Sequence, residues 1–306
     1  MTLLDIIRFI VGLIVLGYAS YSDMKTRMVC DKAWIAIASA GFIILFIQLF
    51  MENVSWLYYL TFLPIGALFT SFFVEGSDKT NFQEGKINRF FLYPVYVCGI
   101  IVTVYLVYIF SLSKTDILFL TLMEIPLVML LIYLLYYFRL IFGGADAKAL
   151  IALSVLFPFY PSVSALLGYF PLKIIWPYTL VILTNGAITA LVIPISYLFY
   201  NLITDPRNIR FPVCFLGYRE DIHKVKNRYL WPLEIVDNGK KRFVLFQKRD
   251  ANINEQIDAL LAYGAKKIWV THKIPFMIPL FMGFVTAFLV GDILNYLVNS
   301  VILQCL

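Results

Sequence analysis

The chain has 306 residues, of which 61% are hydrophobic and 14% charged, and its mean hydropathy is +0.83. No soluble globular domain of this length has such a composition, so the sequence predicts a polytopic membrane protein. The formal net charge of +6 is carried largely by the connections between apolar segments, which indicates membrane orientation rather than nucleic-acid binding. We therefore expect membrane lipids as partners and no nucleic acid.

Windows of about twenty apolar residues define eight candidate membrane spans. Pro158 and Pro161 interrupt the sixth window, and Pro177 and Pro194 predict a kink or tilt in the seventh. The predicted fold class is an all-α polytopic membrane bundle of about eight transmembrane helices, with a small cytoplasmic α+β insert before the last helix. The windows are 2–22, 33–51, 56–74, 90–111, 117–139, 147–164, 174–203 and 274–300.

Lysine and arginine residues set the predicted orientation. If both termini lie outside, the short inner connections carry eight of these residues and the outer side carries three. The first apolar segment contains Arg8 and has no small-residue cleavage site before Asp23, so we expect it to be retained as a span. The sequence thus predicts a multi-pass protein of the cell membrane, with its N- and C-termini outside and 204–273 in the cytoplasm.

Residues 204–273 form a polar insert with its own predicted elements. An Asn-Gly pair at 238–239 between apolar runs predicts a β-hairpin. Helical spacing over 252–263, followed by Gly264, predicts a helix, and 268–270 predicts a strand before the last span. The chain is therefore predicted to divide into a transmembrane bundle (1–203), a small cytoplasmic α+β domain (204–273) and the last transmembrane helix (274–306).

Ionisable side chains in apolar spans are costly and are functional candidates by default. Asp23 ends the first span and Asp146 begins the sixth, so four spans separate them and both lie on the predicted cytoplasmic side. The other acidic residues of the spans are expected to be solvated span ends (Asp5, Glu52, Asp116) or hydrogen-bonding groups inside the bundle (Glu124, Asp292).

Two glycines precede the second of these aspartates. Gly143 and Gly144 allow a tight turn and a close approach of another chain, and Asp146 would face the positive end of the following helix. A reverse turn with a helix-capping aspartate has the same pattern. Two carboxylates held close in a partly dry site share one proton, however, and can then activate water and polarise a carbonyl group, as in aspartic proteases.

Cations follow both aspartates. Lys25 and Lys148 each lie two residues after an aspartate, and Arg27 is close by. They are expected either to reach the headgroups as topology anchors, or to set the protonation of the carboxylates and bind a substrate carbonyl.

Other hydrolytic mechanisms lack their sequence signatures. The chain has no GxSxG motif and no histidine within any predicted span, and its four cysteines show no CxxC spacing. We expect no metal and no cofactor, so a hydrolase in this bundle would be of the aspartic type.

Three segments together resemble the archaeal preflagellin and prepilin peptidases, which are GxGD membrane aspartic proteases. Residues 21–27 resemble the motif of the first aspartate, 143–148 the second motif, and 268–276 the entry to the last helix of that family. The resemblance implies that Asp23 and Asp146 form the catalytic pair. From the surrounding residues we expect supporting roles for Gly143, Gly144, Lys25, Arg27 and Lys148.

The resemblance also implies a substrate. It would be a flagellin-like or type IV pilin-like precursor whose short basic leader is cut at the cytoplasmic face, just before an apolar helix. The sequence departs from the family at Ala145, which replaces the second glycine of GxGD, and in the four spans between the aspartates, where the simplest members have two. It lacks the CxxC-bearing methyltransferase region of bacterial relatives, so no N-methylation is expected.

A polytopic transporter or channel is the alternative interpretation. Glu124 and Asp292 within the spans, together with the prolines of the seventh window, resemble features of broken transporter helices. A third interpretation makes 204–273 a docking module for cytoplasmic partners, or a basic surface that contacts anionic lipid.

Overall fold

The computed structural model is mostly helical and divides into two compact units, Met1–Ala187 with Phe276–Leu306, and Ile188–Pro275. The residues that it describes are 3–75, 89–112, 116–141, 143–162, 165–168, 176–225, 230–237, 239–244, 253–272 and 275–305.

The first unit is built from helices. A short 3₁₀ helix, Trp56–Thr61, leads into its third helix. The helices are α1 (Leu3–Thr26), α2 (Asp31–Met51), α3 (Phe62–Glu75), α4 (Arg89–Leu112), α5 (Ile117–Tyr137), α6 (Gly144–Leu156), most of α7 (Tyr178–Ala190), α11 (Met277–Leu289) and α12 (Ile293–Cys305).

Within the described residues, six helical segments are long and apolar enough to cross a membrane, or seven if α11 and α12, which are bent by 66°, form one span. These helices indicate a multi-pass membrane protein, whereas the predicted count of eight spans is not confirmed. The six segments are Leu3–Thr26, Asp31–Met51, Trp56–Phe73, Tyr93–Phe110, Ile117–Tyr137 and Tyr178–Thr204.

The sixth predicted window, 147–164, differs most from the structure. Helix α6 has 13 residues, or about 20 Å, which is too short for a hydrocarbon core of about 30 Å. It ends at Leu156 because Pro158 disfavours a helical conformation at Phe157, whose φ and ψ are −120° and 73°. Every residue from Asp146 to Leu156 is buried, so α6 is a central helix surrounded by protein.

The last predicted window, 274–300, is broken between α11 and α12. Gly291 lies at the break with φ +105°, a conformation that favours glycine. The buried Asn185 of α7 satisfies the freed backbone groups: its Nδ2 donates to the Gly291 carbonyl (2.8 Å), and its Oδ1 accepts from the Ile293 N–H (3.3 Å). Asp292 caps α12 by accepting from the Asn295 N–H at 3.0 Å, a hydrogen-bonding role in the bundle as predicted.

A polar network ties α1 to the segment after α6. Arg8 is 2% exposed and contacts Asp5 (3.4 Å) and Gln48 Oε1 (2.7 Å). The other oxygen of Asp5 accepts from the N–H and the hydroxyl of Ser162, at 3.0 and 2.7 Å. The prediction of a solvated span end at Asp5 was wrong, because this carboxylate is 6% exposed and compensates a buried guanidinium.

The two other acidic residues predicted at span ends, Glu52 and Asp116, differ in their exposure to solvent. Glu52 is exposed, as predicted. Asp116 is half-buried and caps α5, accepting from the N–H groups of Leu118 (3.0 Å) and Phe119 (3.3 Å) and from the hydroxyl of Tyr58.

The second unit joins a helix to a small α+β fold. A three-stranded antiparallel sheet has the order β1-β5-β2, and β3 and β4 form a separate antiparallel hairpin. The predicted hairpin, helix and final strand are thus confirmed. The elements are α8 (Val192–Thr204), β1 (Tyr218–Asp221), α9 (Ile222–Val225), β2 (Leu230–Pro232), β3 (Glu234–Asp237), β4 (Lys240–Phe243), α10 (Ile253–Ala262) and β5 (Lys267–His272).

This unit begins at Ile188 because α8 packs on the sheet, with Tyr197 and Leu198 against its two apolar clusters. The predicted division of the chain into three domains with separate roles stays a prediction. Its boundaries are 1–203, 204–273 and 274–306.

A close helix crossing fixes the position of α6. A Cβ atom on Gly41 of α2 would lie 2.8 Å from backbone atoms of Val155 and Leu156. Glycine at this position therefore lets the two helix backbones touch, and any larger residue would push α6 away from α2.

We predict that Gly41→Ala lowers the free energy of unfolding by about 1–3 kcal/mol, because the added methyl group meets backbone that cannot move aside. Gly66→Ala is the matched control, since that glycine also lies within a helix but has open space around it. It should leave stability unchanged or raise it by up to about 1 kcal/mol. Denaturant unfolding in detergent micelles measures both, and equal stabilities would contradict the close crossing.

Candidate active site

Asp146 lies in the first turn of α6, and its side chain is folded back over the residue that precedes the helix. A Cβ atom on Gly143 would lie 2.1 Å from Oδ2 and 2.7 Å from Cγ of Asp146. The backbone of Gly143 is extended, with φ −92° and ψ 121°, which any residue can adopt. Glycine is therefore required here for the space that the carboxyl group occupies, and not for the tight turn that the sequence suggested.

The second glycine of the motif is under less constraint. A Cβ atom on Gly144 would meet the Tyr136 hydroxyl at 3.5 Å, an ordinary van der Waals contact. The two neighbouring glycines thus differ, since only Gly143 has a carboxyl group in the place of its missing side chain.

Asp23 is half-buried in the last turns of α1 and faces the beginning of α11. The backbone N–H of Met277, the first residue of α11, lies near the Asp23 carboxylate and favours its charged form. Three residues earlier in α1, the buried Ser20 hydroxyl donates to the Met277 carbonyl at 3.0 Å. The start of α11 is therefore bound to the face of α1 that carries Asp23.

The two aspartates lie near each other in the structure. The carboxyl groups of Asp23 and Asp146 are within electrostatic interaction range, although four candidate spans separate them in sequence. Asp146 is 8% exposed and Asp23 is half-buried. In the part of the chain that the structure describes, no group of three His, Cys, Asp or Glu side chains is placed to hold a metal ion.

The cations around Asp23 have different positions. Arg27 follows α1 in a left-handed conformation (φ +59°); its N–H donates to the Asp23 carbonyl at 3.1 Å, and its charge acts on the Asp23 carboxylate. Lys25 is exposed in the last turn of α1, a position that leaves both interpretations of this lysine open.

Lys148 does not reach for the headgroups. It is 9% exposed, and its Nζ lies 2.7 Å from Oδ2 of Asp31 and 5.1 Å from the centre of the Phe73 ring. The interpretation of Lys148 as a topology anchor was wrong, because the lysine is buried and its ammonium group pairs with Asp31. It joins α6 to the first turn of α2 and to α3.

Asp31, Ser20 and Met277 were missed by the sequence reasoning. Asp31 could have been found as an acidic residue at the start of an apolar span, and Ser20 from its spacing of three residues from Asp23. No local signal identifies Met277, since its contribution comes from the backbone.

Comparison with known proteins gives a consistent result. The family described as "Archaeal Peptidase A24 C-terminus Type II" matches residues 209–293. The preflagellin peptidase of Methanococcus maripaludis is 26% identical to the chain over 168 residues, which cover 51% of this chain and 66% of that relative. The resemblance to the archaeal preflagellin and prepilin peptidases is confirmed.

Two further archaeal preflagellin peptidases match to the same extent. That of Methanococcus voltae is 24% identical over 158 residues, covering 49% of this chain and 64% of its own length. That of Methanocaldococcus jannaschii is 25% identical over 171 residues, with 51% and 66% covered. The matched region therefore spans just under two thirds of the length of each of these preflagellin peptidases.

The contact between Lys148 and Asp31 yields a prediction for stability. In a double-mutant cycle with Lys148→Met and Asp31→Asn, we expect a coupling energy of about 0.5–3 kcal/mol, because the pair is partly buried and in contact. Asp31→Asn should cost more than Lys148→Met, because it leaves the buried ammonium group without a compensating charge, whereas Lys148→Met leaves only the more exposed Asp31 unpaired. Unfolding in detergent measures each corner of the cycle, and additive effects would show that the two side chains do not interact.

Proposed function

We propose that this protein is a membrane aspartic endopeptidase that removes the short N-terminal leader of flagellin-like or type IV pilin-like precursors. The observation that carries the proposal is the approach of the Asp23 and Asp146 carboxyl groups, each within a motif that resembles those of the archaeal preflagellin and prepilin peptidases. The names of the curated relatives support leader cleavage as the activity.

The surroundings of the two carboxyl groups suggest separate roles. Asp146 is buried, and burial favours the neutral form of a carboxyl group. Asp23 is closer to water than Asp146, and the charge of Arg27 and the Met277 N–H offset part of the effect of its own burial. We assign the shared proton to Asp146 at the start of the reaction and the negative charge to Asp23.

Peptide hydrolysis follows from this distribution of charge. Asp23 accepts a proton from a water molecule as its oxygen attacks the scissile carbonyl carbon, and Asp146 donates its proton to the carbonyl oxygen. The tetrahedral intermediate then collapses: its hydroxyl proton returns to Asp146, the C–N bond breaks, and Asp23 gives its proton to the leaving amine. Both groups end in their starting protonation states.

The location of the two aspartates suits a substrate that has a polar leader followed by an apolar helix. Asp23 lies near the end of the span Leu3–Thr26, where water is available and no deep channel is needed. We propose that the apolar helix of the precursor lies against the bundle while its basic leader extends to this end. The cytoplasmic side, with both chain termini outside and 204–273 inside, is the orientation that the lysine and arginine distribution supports.

The groups around the pair act on its geometry. Gly143 leaves the space that the Asp146 carboxyl fills, Lys148 binds α6 to α2, and Ser20 holds the start of α11 beside Asp23. The alternative, a transporter or channel that uses Glu124 and Asp292, is less well supported, because capping of α12 already accounts for the Asp292 carboxylate.

Replacement of either aspartate tests the proposal. We expect Asp23→Asn and Asp146→Asn each to lower the cleavage rate by about 10³-fold or more, because an amide can neither accept nor donate the proton in its partner's place. The assay follows a purified precursor by mass spectrometry in liposomes that contain the full-length enzyme. An unchanged unfolding transition is the control for folding, and wild-type processing by either variant would remove the proposal.

Gly143→Ala provides a second test through geometry alone. The added methyl group would displace the Asp146 carboxyl, and displacement by about 1 Å costs about 10²-fold in kcat. Gly144→Ala, one residue away, is the matched control and should retain activity, since its added methyl group has room. Similar activity of the two variants would contradict the position of the Asp146 carboxyl over Gly143.

A further inference from the structure

The loop after α8 is fastened to the end of that helix. Asn201, in the last turn of α8, is 2% exposed, and its Nδ2 donates to the carbonyls of Cys214 (3.0 Å) and Gly217 (2.8 Å). Helix α8 forms the end of the candidate span Tyr178–Thr204. Residues 205–217 are therefore held directly beyond the end of a membrane-spanning segment.

The inner side of this loop is anchored in the core of the second unit. Val213 and Cys214 are 6% and 1% exposed and pack with Leu233 and Trp269. The backbone of the loop thus has a defined conformation and a fixed position relative to α8.

The outer side of the loop is aromatic and basic. Phe211 is 82% exposed, and Arg207 and Arg210 are exposed as well. The guanidinium of Arg210 lies 5.5 Å from the ring centre of Phe243, which connects the loop to β4. We call Arg207, Arg210, Phe211, Lys240 and Phe243 the loop–hairpin surface.

Three cations remain available on this surface. On β4, Lys241 pairs with Glu234 at 2.7 Å and Arg242 pairs with Asp237 at 3.1 Å. No carboxylate of the described residues pairs with the other cations, Arg207, Arg210 and Lys240. The surface therefore combines unneutralised positive charge with a large exposed aromatic ring.

The neighbouring face of α8 is apolar and exposed. Ile195, Phe199 and Ile203 follow one another at intervals of four residues and are 48%, 59% and 80% exposed. Such a face is suited to acyl chains. Along the chain, this apolar face ends at Ile203, and the aromatic and basic residues of the loop–hairpin surface begin at Arg207. A membrane changes in the same order, from acyl chains to headgroups.

We propose that the loop–hairpin surface binds anionic phospholipid headgroups in the leaflet where α8 ends. The guanidinium groups of Arg207 and Arg210 and the ammonium group of Lys240 donate to lipid phosphates, and the Phe211 ring enters the interface between headgroups and acyl chains. The same positive charge repels a basic leader, so this surface is separate from the proposed cleavage of precursors and does not rest on it. An acidic protein is the competing occupant, and the test excludes or supports it.

The experiment uses the full chain in lipid nanodiscs. The cysteines at 30, 98 and 305 are replaced by serine, and the buried Cys214 is retained. Phe211→Cys then carries a fluorophore, and Tyr263→Cys, at a 52% exposed position after α10, carries the same fluorophore as a matched control. Lipids spin-labelled at the headgroup serve as the quencher, in discs of phosphatidylglycerol or phosphatidylcholine.

We expect headgroup quenching at position 211 to exceed that at position 263, and to be larger in phosphatidylglycerol than in phosphatidylcholine by a factor of about two or more. Adding Arg207→Glu, Arg210→Glu and Lys240→Glu should remove the dependence on lipid charge. Lys240→Glu alone, at an exposed strand position, should reduce it and serves if the triple variant does not fold.

Two results would overturn the proposal. Equal quenching at positions 211 and 263 would show that Phe211 is no closer to headgroups than a position outside the surface, and would favour an acidic protein as the occupant. Quenching at position 211 that is independent of lipid charge, before and after charge reversal, would show that the cations do not bind headgroups.

Discussion

The burial of the Asp146 carboxyl group near that of Asp23 is the constraint on which the packing of the first unit depends. Asp146 is buried at the start of a helix whose remaining residues are buried too, so its charge can be accommodated only by sharing a proton or by a compensating partner. Asp23 approaches it from α1. The close crossing of α2 and α6 at Gly41, and the contact of Lys148 with Asp31, hold α6 in place. These contacts explain why a helix too short to span a bilayer is nevertheless the centre of the structure.

The beginning of α11 connects the C-terminal part of the chain to this arrangement. Residues 209–293, which match the archaeal peptidase family, include α11, and the first N–H of that helix acts on the charge of Asp23. A carboxylate near a helix N-terminus is stabilised by the positive end of the helix dipole. The C-terminal region can therefore influence the candidate site without supplying any ionisable side chain to it.

The features that could be predicted from the sequence are those that depend on local sequence patterns or on the number of membrane spans. An even number of spans between Asp23 and Asp146 predicts that both lie on one side, and an Asn-Gly pair between apolar runs predicts the hairpin of β3 and β4. The placement of both aspartates on one side depends only on such features, and so does the helical character of the first unit.

The remaining features depend on long-range packing, which a single sequence does not display. Composition cannot distinguish a membrane span from a short helix buried among other helices, so α6 was assigned too great a length. Asp5 was expected in water because its partners Arg8 and Ser162 meet it only in the folded chain. The true reason for Gly143 also appears only once the Asp146 side chain is placed.

The dependence of the cleavage rate on pH tests the central claim most directly. If the two carboxyl groups share one proton, the rate must fall at low pH, where neither can accept a proton from water, and fall again at high pH, where neither can donate one to the carbonyl. The account predicts this bell-shaped profile for full-length enzyme in liposomes, under conditions where the precursor and the fold are unaffected by pH. A rate that rises with pH to a plateau would show that one base acts alone, and would contradict the shared proton.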